Sequence, residues 1–331
     1  MSKKLKIGIL GVGMVGEPIR KWFEELQGYM RGKDLFLYDI DPKKGYFDDV
    51  NKADAIFVAL PTPSNPDGSC NVSLIEEGIK KINDNKIVIV KSTVEPGTVE
   101  LLQKKYPKKK FVFNPEFLTE SQAWLDFVKP DRQILGYTKK GKEGIKEVQL
   151  LLPQAPFMRP WSSDYTKKEV SSTEAELAKY AANIFGYIKV IYGNLLADVC
   201  EAMTIKYKQD KVDATVEYEN VRELIAADPR IGPAWLNVEH GNYCGAGGYC
   251  FPKDMKAFIA FVEKLIGDKK LIKADPELMK IMKHGLQILK SIHNYNIELL
   301  KWQGLTIEEV SRHNKEIVVQ KRRGIRKHSK K

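Results

Sequence analysis

The sequence predicts an α/β protein: a doubly wound sheet, then a long central helix and a helical domain. Three observations carry this. Short apolar runs of strand length alternate with helical patterns over the first 170 or so residues, which is the signature of strands joined by crossover helices. From Ser172 an Ala-rich run continues past Cys200 with no proline to break it. Residues 205–300 then alternate helical segments with loops. A chain of 331 residues, 43% of them hydrophobic, is long enough to bury two cores.

Taken in order, residues 5–10 (Leu-Lys-Ile-Gly-Ile-Leu) read as a buried parallel strand, followed by Gly11-Val12-Gly13-Met14-Val15-Gly16 and a helical pattern to about residue 27. A second strand, Leu35–Tyr38, ends at Asp39, which lies 23 residues after Gly16. Glycines at this spacing between strand and helix, with an acid ending the next strand, form the Rossmann-type dinucleotide fingerprint. The glycines admit a pyrophosphate to the helix N-terminus, and the Asp39 carboxylate receives the ribose diol. Asp39 would repel a 2′-phosphate, which favours NAD over NADP, while Lys43 and Lys44 close by leave the opposite preference open.

Further apolar strands are expected at 55–60, 87–90 and 111–113. Each is followed by a block rich in polar residues: Pro61-Thr62-Pro63, Lys91-Ser92-Thr93-Val94-Glu95-Pro96-Gly97-Thr98, and Asn114-Pro115-Glu116-Phe117-Leu118-Thr119-Glu120. These blocks fall at the carboxyl ends of the strands, where open α/β sheets bind ligands. The hydroxyls of Thr62 and Thr93 can position a cofactor or a water there, although each block alone also reads as a plain turn. The first domain is placed at residues 1–172, the helical substrate and dimerisation domain at 173–300, and a tail at 301–331. Within the long helix Lys179 and Asn183 lie one turn apart among apolar neighbours. Helical periodicity fits equally a lysine that snorkels outward and one held inward to meet an anion.

The block Gly247-Gly248-Tyr249-Cys250-Phe251-Pro252-Lys253-Asp254 reads as a reactive cysteine opening a helix. Pro252 suits the first helical turn. Unpaired amides there favour a thiolate, and Asp254 falls on the same helix face as Cys250. A buried structural cysteine is the alternative for a lone Cys. Four cysteines with no CxxC pair give neither a disulfide scaffold nor a zinc site, so no metal is expected and a reducing, cytoplasmic setting fits best.

The N-terminal lysines precede an apolar run that glycines, Glu17 and Pro18 interrupt, which argues against a signal peptide. No stretch has the apolar length of a membrane span. The net charge of +11 is concentrated in residues 315–331, where eight lysines and arginines face a single acid, Glu316. A basic end of this kind is usually a solvated tail, and nucleic acid is not an expected partner.

Read together, the blocks GxGxxG, PTP, KSTxxPGT, NPEFLxE, AELxKxAAN, DPRIG and GGYCxPKD occur in an order that resembles the UDP-glucose/GDP-mannose 6-dehydrogenase family, from the N-terminus to about residue 300. The resemblance implies NAD-dependent oxidation of a sugar-nucleotide primary alcohol to a carboxylate, in nucleotide-sugar metabolism and polysaccharide biosynthesis. UDP-glucose is the substrate expected, with GDP-mannose or an N-acetylated sugar nucleotide as alternatives. A further alternative is a short NAD-binding paralogue with little catalysis.

By resemblance Cys250 is the nucleophile, Lys179 and Asn183 steady oxyanion charge, Asp254 and Thr93 hold the water, and Glu116 moves protons. The cofactor would meet the residues Gly11–Gly16, Asp39, Lys44, Thr62, Thr93, Glu120 and Lys253. The sugar nucleotide would meet Glu116, Phe117, Leu118, Thr119, Glu120, Lys179, Asn183 and Gly247, with Arg230 reaching it from the partner subunit of a homodimer. Three departures from the family pattern stand out. Only some 30 residues follow Ile292–Asn296, so the family's C-terminal nucleotide-binding domain is expected to be absent. The Gly232–Cys250 segment is lengthened, with Ala246 where an aromatic is usual, and the Lys206–Asn220 stretch is enlarged.

Overall fold

A computed structural model describes residues 4–119, 122–155, 169–240 and 242–311. It divides into two compact units, one of residues 1–65 and 70–179, the other of residues 66–69 and 180–331.

The first unit is built on β1 (Ile7–Leu10), β2 (Leu35–Tyr38), β3 (Ala55–Val58), β4 (Ile87–Val90), β5 (Lys110–Phe113) and β6 (Gly136–Tyr137). They lie in the order β2-β1-β3-β4-β5-β6. The first five are parallel and β6 is antiparallel to β5. Helices α1 (Gly16–Lys21), α2 (Ser73–Lys80), α3 (Thr98–Lys105), α4 (Ala123–Val128) and α5 (Ile145–Leu151) connect and flank the strands. Because side chains alternate along a strand, the continuous apolar runs feed two cores. Ile9, Phe57, Ile89 and Val112 enter one, while Ile56, Val58, Val88 and Phe111 enter the other. The chain leaves β1 towards β2 and returns to β3 on β1's other side. The order therefore reverses beside β1, and the carboxyl ends of β1 and β3 bound the crevice where such sheets bind ligands.

The long helix is α6 (Ser172–Gln209). Its first turns pack on β6 so closely that a Cβ on Gly136 would lie 2.5 Å from the Cβ of Ala175. Glu176, fully buried, accepts hydrogen bonds from the N–H groups of Gly97 (2.6 Å) and Val99 (2.8 Å), donors that α3 leaves unpaired at its start. Burial pushes this carboxyl up to about 8, against the pull of the two N–H donors.

The second unit holds the remainder of α6, then α7 (Tyr218–Ala226), the hairpin of β7 (Glu239–His240) and β8 (Tyr243–Cys244), α8 (Cys250–Gly267), α9 (Lys269–Ala274), α10 (Pro276–Trp302) and α11 (Ile307–Val310). Val262 and Ile266 of α8 pack against Leu286 of α10. Asp275 caps α10, with Pro276 in its first turn, and a Thr306–Glu309 capping box starts α11. Tyr187 and Val190 of α6 are buried, but Phe185, Tyr192, Leu195 and Val199 are exposed. Among the described residues no helix is long and apolar enough to cross a membrane.

Candidate active site

In the first unit the glycine loop meets the geometric demands of a dinucleotide. Gly11 leaves β1 at φ +90°, and a Cβ there would lie 2.6 Å from the Ala59 carbonyl oxygen at the end of β3. A Cβ on Gly16 would lie 1.9 Å from the Gly11 oxygen, whereas one on Gly13 would meet nothing within 4 Å. The outer glycines thus permit close packing, and the middle one turns bare backbone towards open space. A cavity of about 540 Å³ opens there, lined in part by Val12, Gly13, Met14, Lys44, Tyr46 and Trp124.

Asp39, buried at the end of β2, anchors this loop. Its Oδ2 accepts from the Val12 N–H (2.7 Å) and from Lys44 Nζ (2.9 Å), and its Oδ1 accepts from the Asp41 N–H (2.9 Å). Burial pushes its carboxyl up, but these donors outweigh burial and hold it below the ordinary value. Lys44 also donates to the Val12 carbonyl at 3.0 Å. The acid expected to meet the ribose therefore already carries a lysine. One acceptor position on Oδ1 remains for a hydroxyl.

The loops after β3 and β4 are tied together: Thr62 Oγ1 donates to the Thr93 carbonyl (2.8 Å) and Ser92 Oγ to the Leu60 carbonyl (2.7 Å). Beside them is a residue that sequence reasoning missed. Lys91 is buried at the end of β4, where its Nζ lies 2.7 Å from Glu116 Oε2 and donates to Asn114 Oδ1 at 2.7 Å. Asn114 donates in turn to the Ile134 carbonyl at 2.8 Å. The available signal was a lysine immediately after an apolar strand, in a block read for its threonines. Phe117 presents its ring to two cations, Arg132 at 4.3 Å and the buried Lys179 at 4.7 Å. The lysine is thus held inward against an aromatic face. Thr119 spends its N–H and hydroxyl on Asp126, and Leu118 packs against the sheet's core. Glu120 lies outside the described residues.

In the second unit Cys250 is the first residue of α8 and is half-buried. One turn on, Asp254 is buried between an amide donor and an ammonium group. Its Oδ2 accepts from Asn183 Nδ2 at 2.5 Å, and its Oδ1 lies 2.8 Å from Lys253 Nζ. Lys253, expected at the cofactor, thus makes an ion pair with Asp254. Gly247 is required by its neighbour, since a Cβ there would lie 1.9 Å from the Tyr243 hydroxyl oxygen. Arg230 stands apart: it is paired with Asp228 and its side chain is 88% exposed. Lys189 holds the adjoining turn by donating to the Ile231 carbonyl at 2.7 Å. Among the described residues no group of three His, Cys, Asp or Glu side chains could hold a metal.

A thiol at a helix start, with a doubly held carboxylate one turn away, is chemistry that a dinucleotide site alone does not require. Both residues lie within a segment that matches a known family. Residues 43–150 match the NAD binding domain of the UDP-glucose/GDP-mannose dehydrogenase family, and residues 173–278 match its central domain. The glycine loop precedes the first matched segment and rests on its own geometry. The UDP-glucose 6-dehydrogenase of Rickettsia bellii is 31% identical over 238 residues, covering 69% of this chain and 50% of that one. The UDP-glucose 6-dehydrogenase AglM of Haloferax volcanii is 32% identical over 305 residues, covering 77% of this chain and 65% of that one. The structure of a UDP-glucose dehydrogenase from Pyrobaculum islandicum superposes with a TM-score of 0.66 at 27% identity, covering 91% of this chain and 71% of that one. The chain spans about half the length of the first curated relatives it matches. Since its sheet carries the NAD binding domain and its long helix and cysteine helix the central domain, the chain belongs to the UDP-glucose/GDP-mannose dehydrogenase family.

Proposed function

We propose that this chain catalyses the two-step oxidation of a sugar-nucleotide primary alcohol to a carboxylate, with UDP-glucose as substrate. The observation that carries this reading is the Asn183–Asp254–Lys253 cluster one helical turn from Cys250, which binding of NAD does not require. Two molecules of NAD, bound in turn at the Gly11–Gly16 loop, would supply the hydride acceptor for the two oxidations. Cys250 bridges the two oxidations: its thiolate adds to the aldehyde, and the second oxidation leaves a thioester. Water then cleaves the C–S bond, releasing the carboxylate and the thiol.

The cysteine's place in the first turn of α8 supports the thiolate, because unpaired amides there favour negative charge. Asp254, held by the Asn183 amide and the Lys253 ammonium, orients the hydrolytic water, a role proposed for Thr93 as well. Lys179 and Asn183 steady the oxyanion of the tetrahedral species. Glu116, paired with Lys91, takes and returns protons in the same sequence. Gly11–Gly16, Asp39, Lys44, Thr62 and Glu120 serve the cofactor, and Phe117 and Leu118 the sugar.

A homodimer is proposed through α6, where Phe185, Tyr192, Leu195 and Val199 form an exposed apolar stripe, with Arg230 facing the partner's substrate. Four free cysteines accord with a cytoplasmic location. The test is a panel of sugar nucleotides assayed for NADH and for acid product. Two NADH per carboxylate with UDP-glucose is the expected result. Bound NAD with no turnover of any sugar nucleotide would contradict the proposal.

A further inference from the structure

Asn296 of α10 and Gln303, the residue that caps the end of this helix, are both buried, and each places its amide on the backbone of the segment that runs from β8 into α8. Gln303 Oε1 accepts from the Cys244 N–H at 2.7 Å, and its Nε2 donates to the Cys244 carbonyl at 2.8 Å. Asn296 Oδ1 accepts from the Ala246 N–H at 2.8 Å, and its Nδ2 donates to the Ala246 carbonyl at 2.9 Å. Each side chain therefore makes the paired donor–acceptor contact that a neighbouring strand would make, on alternate loop residues. Gly245, between them, has φ +111°, and a Cβ there would lie 2.7 Å from Asn296 Oδ1. The glycine makes the clamp possible. The Gly248 N–H, two residues before Cys250, donates to the Val310 carbonyl at 2.9 Å.

We infer that Asn296 and Gln303 are positioning residues for Cys250: their amides fix the loop of residues 244–248 and so set where the thiol enters the first turn of α8. The inference rests on the reading of Cys250 as the nucleophile. A buried backbone N–H and C=O must be paired somewhere; Cys244 ends β8 and Ala246 lies two residues on, and for both residues the amides of Gln303 and Asn296 supply a donor and an acceptor together. Both side chains place a donor and an acceptor on one residue of the segment that ends at the thiol, and Gln303 Nε2 is itself held by the Leu299 carbonyl at 2.9 Å.

The test reads Cys250 directly, without any sugar nucleotide. The rate of its alkylation by iodoacetamide is followed against pH by peptide mass mapping, in the wild-type chain and in Asn296→Leu and Gln303→Met. The midpoint is expected to move up by roughly half a unit to one unit, the size of a helix-terminus interaction. Carboxylate formation is expected to fall about 10²-fold through kcat, with NAD affinity unchanged. Folded variants whose alkylation midpoint does not move would overturn the inference and leave the two amides a purely structural role. Should neither variant fold, hydrogen exchange on the wild-type chain decides. Amides of Cys244 and Ala246 protected like those of the sheet support the clamp, and amides exchanging like an exposed loop contradict it. An inactive wild-type chain that still shows the alkylation shift in the variants would refute the proposed reaction and leave the clamp standing.

Discussion

Lys91 and Glu116 form an ion pair of 2.7 Å whose lysine side chain is 2% exposed, at the carboxyl ends of adjacent strands. Both charges are largely removed from water, so each depends on the other. Lys91→Met should therefore destabilise the chain by about 3–5 kcal/mol, because it strands the Glu116 carboxylate. The double variant Lys91→Met/Glu116→Gln should recover much of that loss while activity stays absent. Urea titrations of the wild-type chain, Lys91→Met, Glu116→Gln and the double variant check this. Additive single-site losses would show that the pair is not coupled.

Cofactor choice should rest on Asp39 together with Lys44. Asp39→Ala removes the acceptor for the ribose diol and also frees Lys44, now paired at 2.9 Å, to meet a 2′-phosphate. The ratio of kcat/KM for NAD over NADP should fall about tenfold, near 1.4 kcal/mol. An unchanged ratio would mean that Asp39 serves only to hold the glycine loop through Val12.

The sheet and the cysteine helix were legible in the sequence because strands buried on both faces must be apolar at every position, and a thiol before Pro252 marks a helix start. The two-residue strands β6, β7 and β8 were not, since so short a segment carries no periodicity. Lys91 escaped notice because its burial depends on Asn114 and Glu116, which only the pairing of β4 with β5 brings near. Asn296 and Gln303 were hidden for a similar reason. One amide in a helix and one at its cap read as solvated until the loop they clamp is folded beside them. The exposed face of α6 was masked by composition, which reports how apolar a helix is and not which side is covered.

That face yields a prediction of its own. Phe185 is 60% exposed and Tyr192 52%, and they are separated by two helical turns. Light scattering should report a dimer for the wild-type chain and a monomer for Phe185→Glu/Tyr192→Glu. A wild-type monomer at micromolar concentration would remove the proposed interface.

His293 should contribute a pH dependence to stability. Burial, with Lys256 nearby, pushes the imidazole down to about 4, and its Nδ1 lies 2.9 Å from the Tyr187 hydroxyl. The unfolded chain takes up a proton near the ordinary value of about 6.5. Between those two values the unfolded state therefore holds the extra proton, so the stability linked to this group is present above about 6.5 and is lost as pH falls towards 4. His293→Gln should flatten the urea midpoint against pH in that window. An unchanged slope would assign the pH dependence to other groups.

In the proposed reaction Cys250 carries the carbon between the two oxidations. The most direct measurement is the product balance of Cys250→Ser with UDP-glucose and NAD, quenched and compared with the wild-type chain. A hydroxyl lacks the thiolate character that captures the aldehyde. The variant should therefore release at most one NADH per sugar, slowly, with aldehyde and no carboxylate, where the wild-type chain gives two NADH and the acid. Normal carboxylate formation by Cys250→Ser would contradict the account.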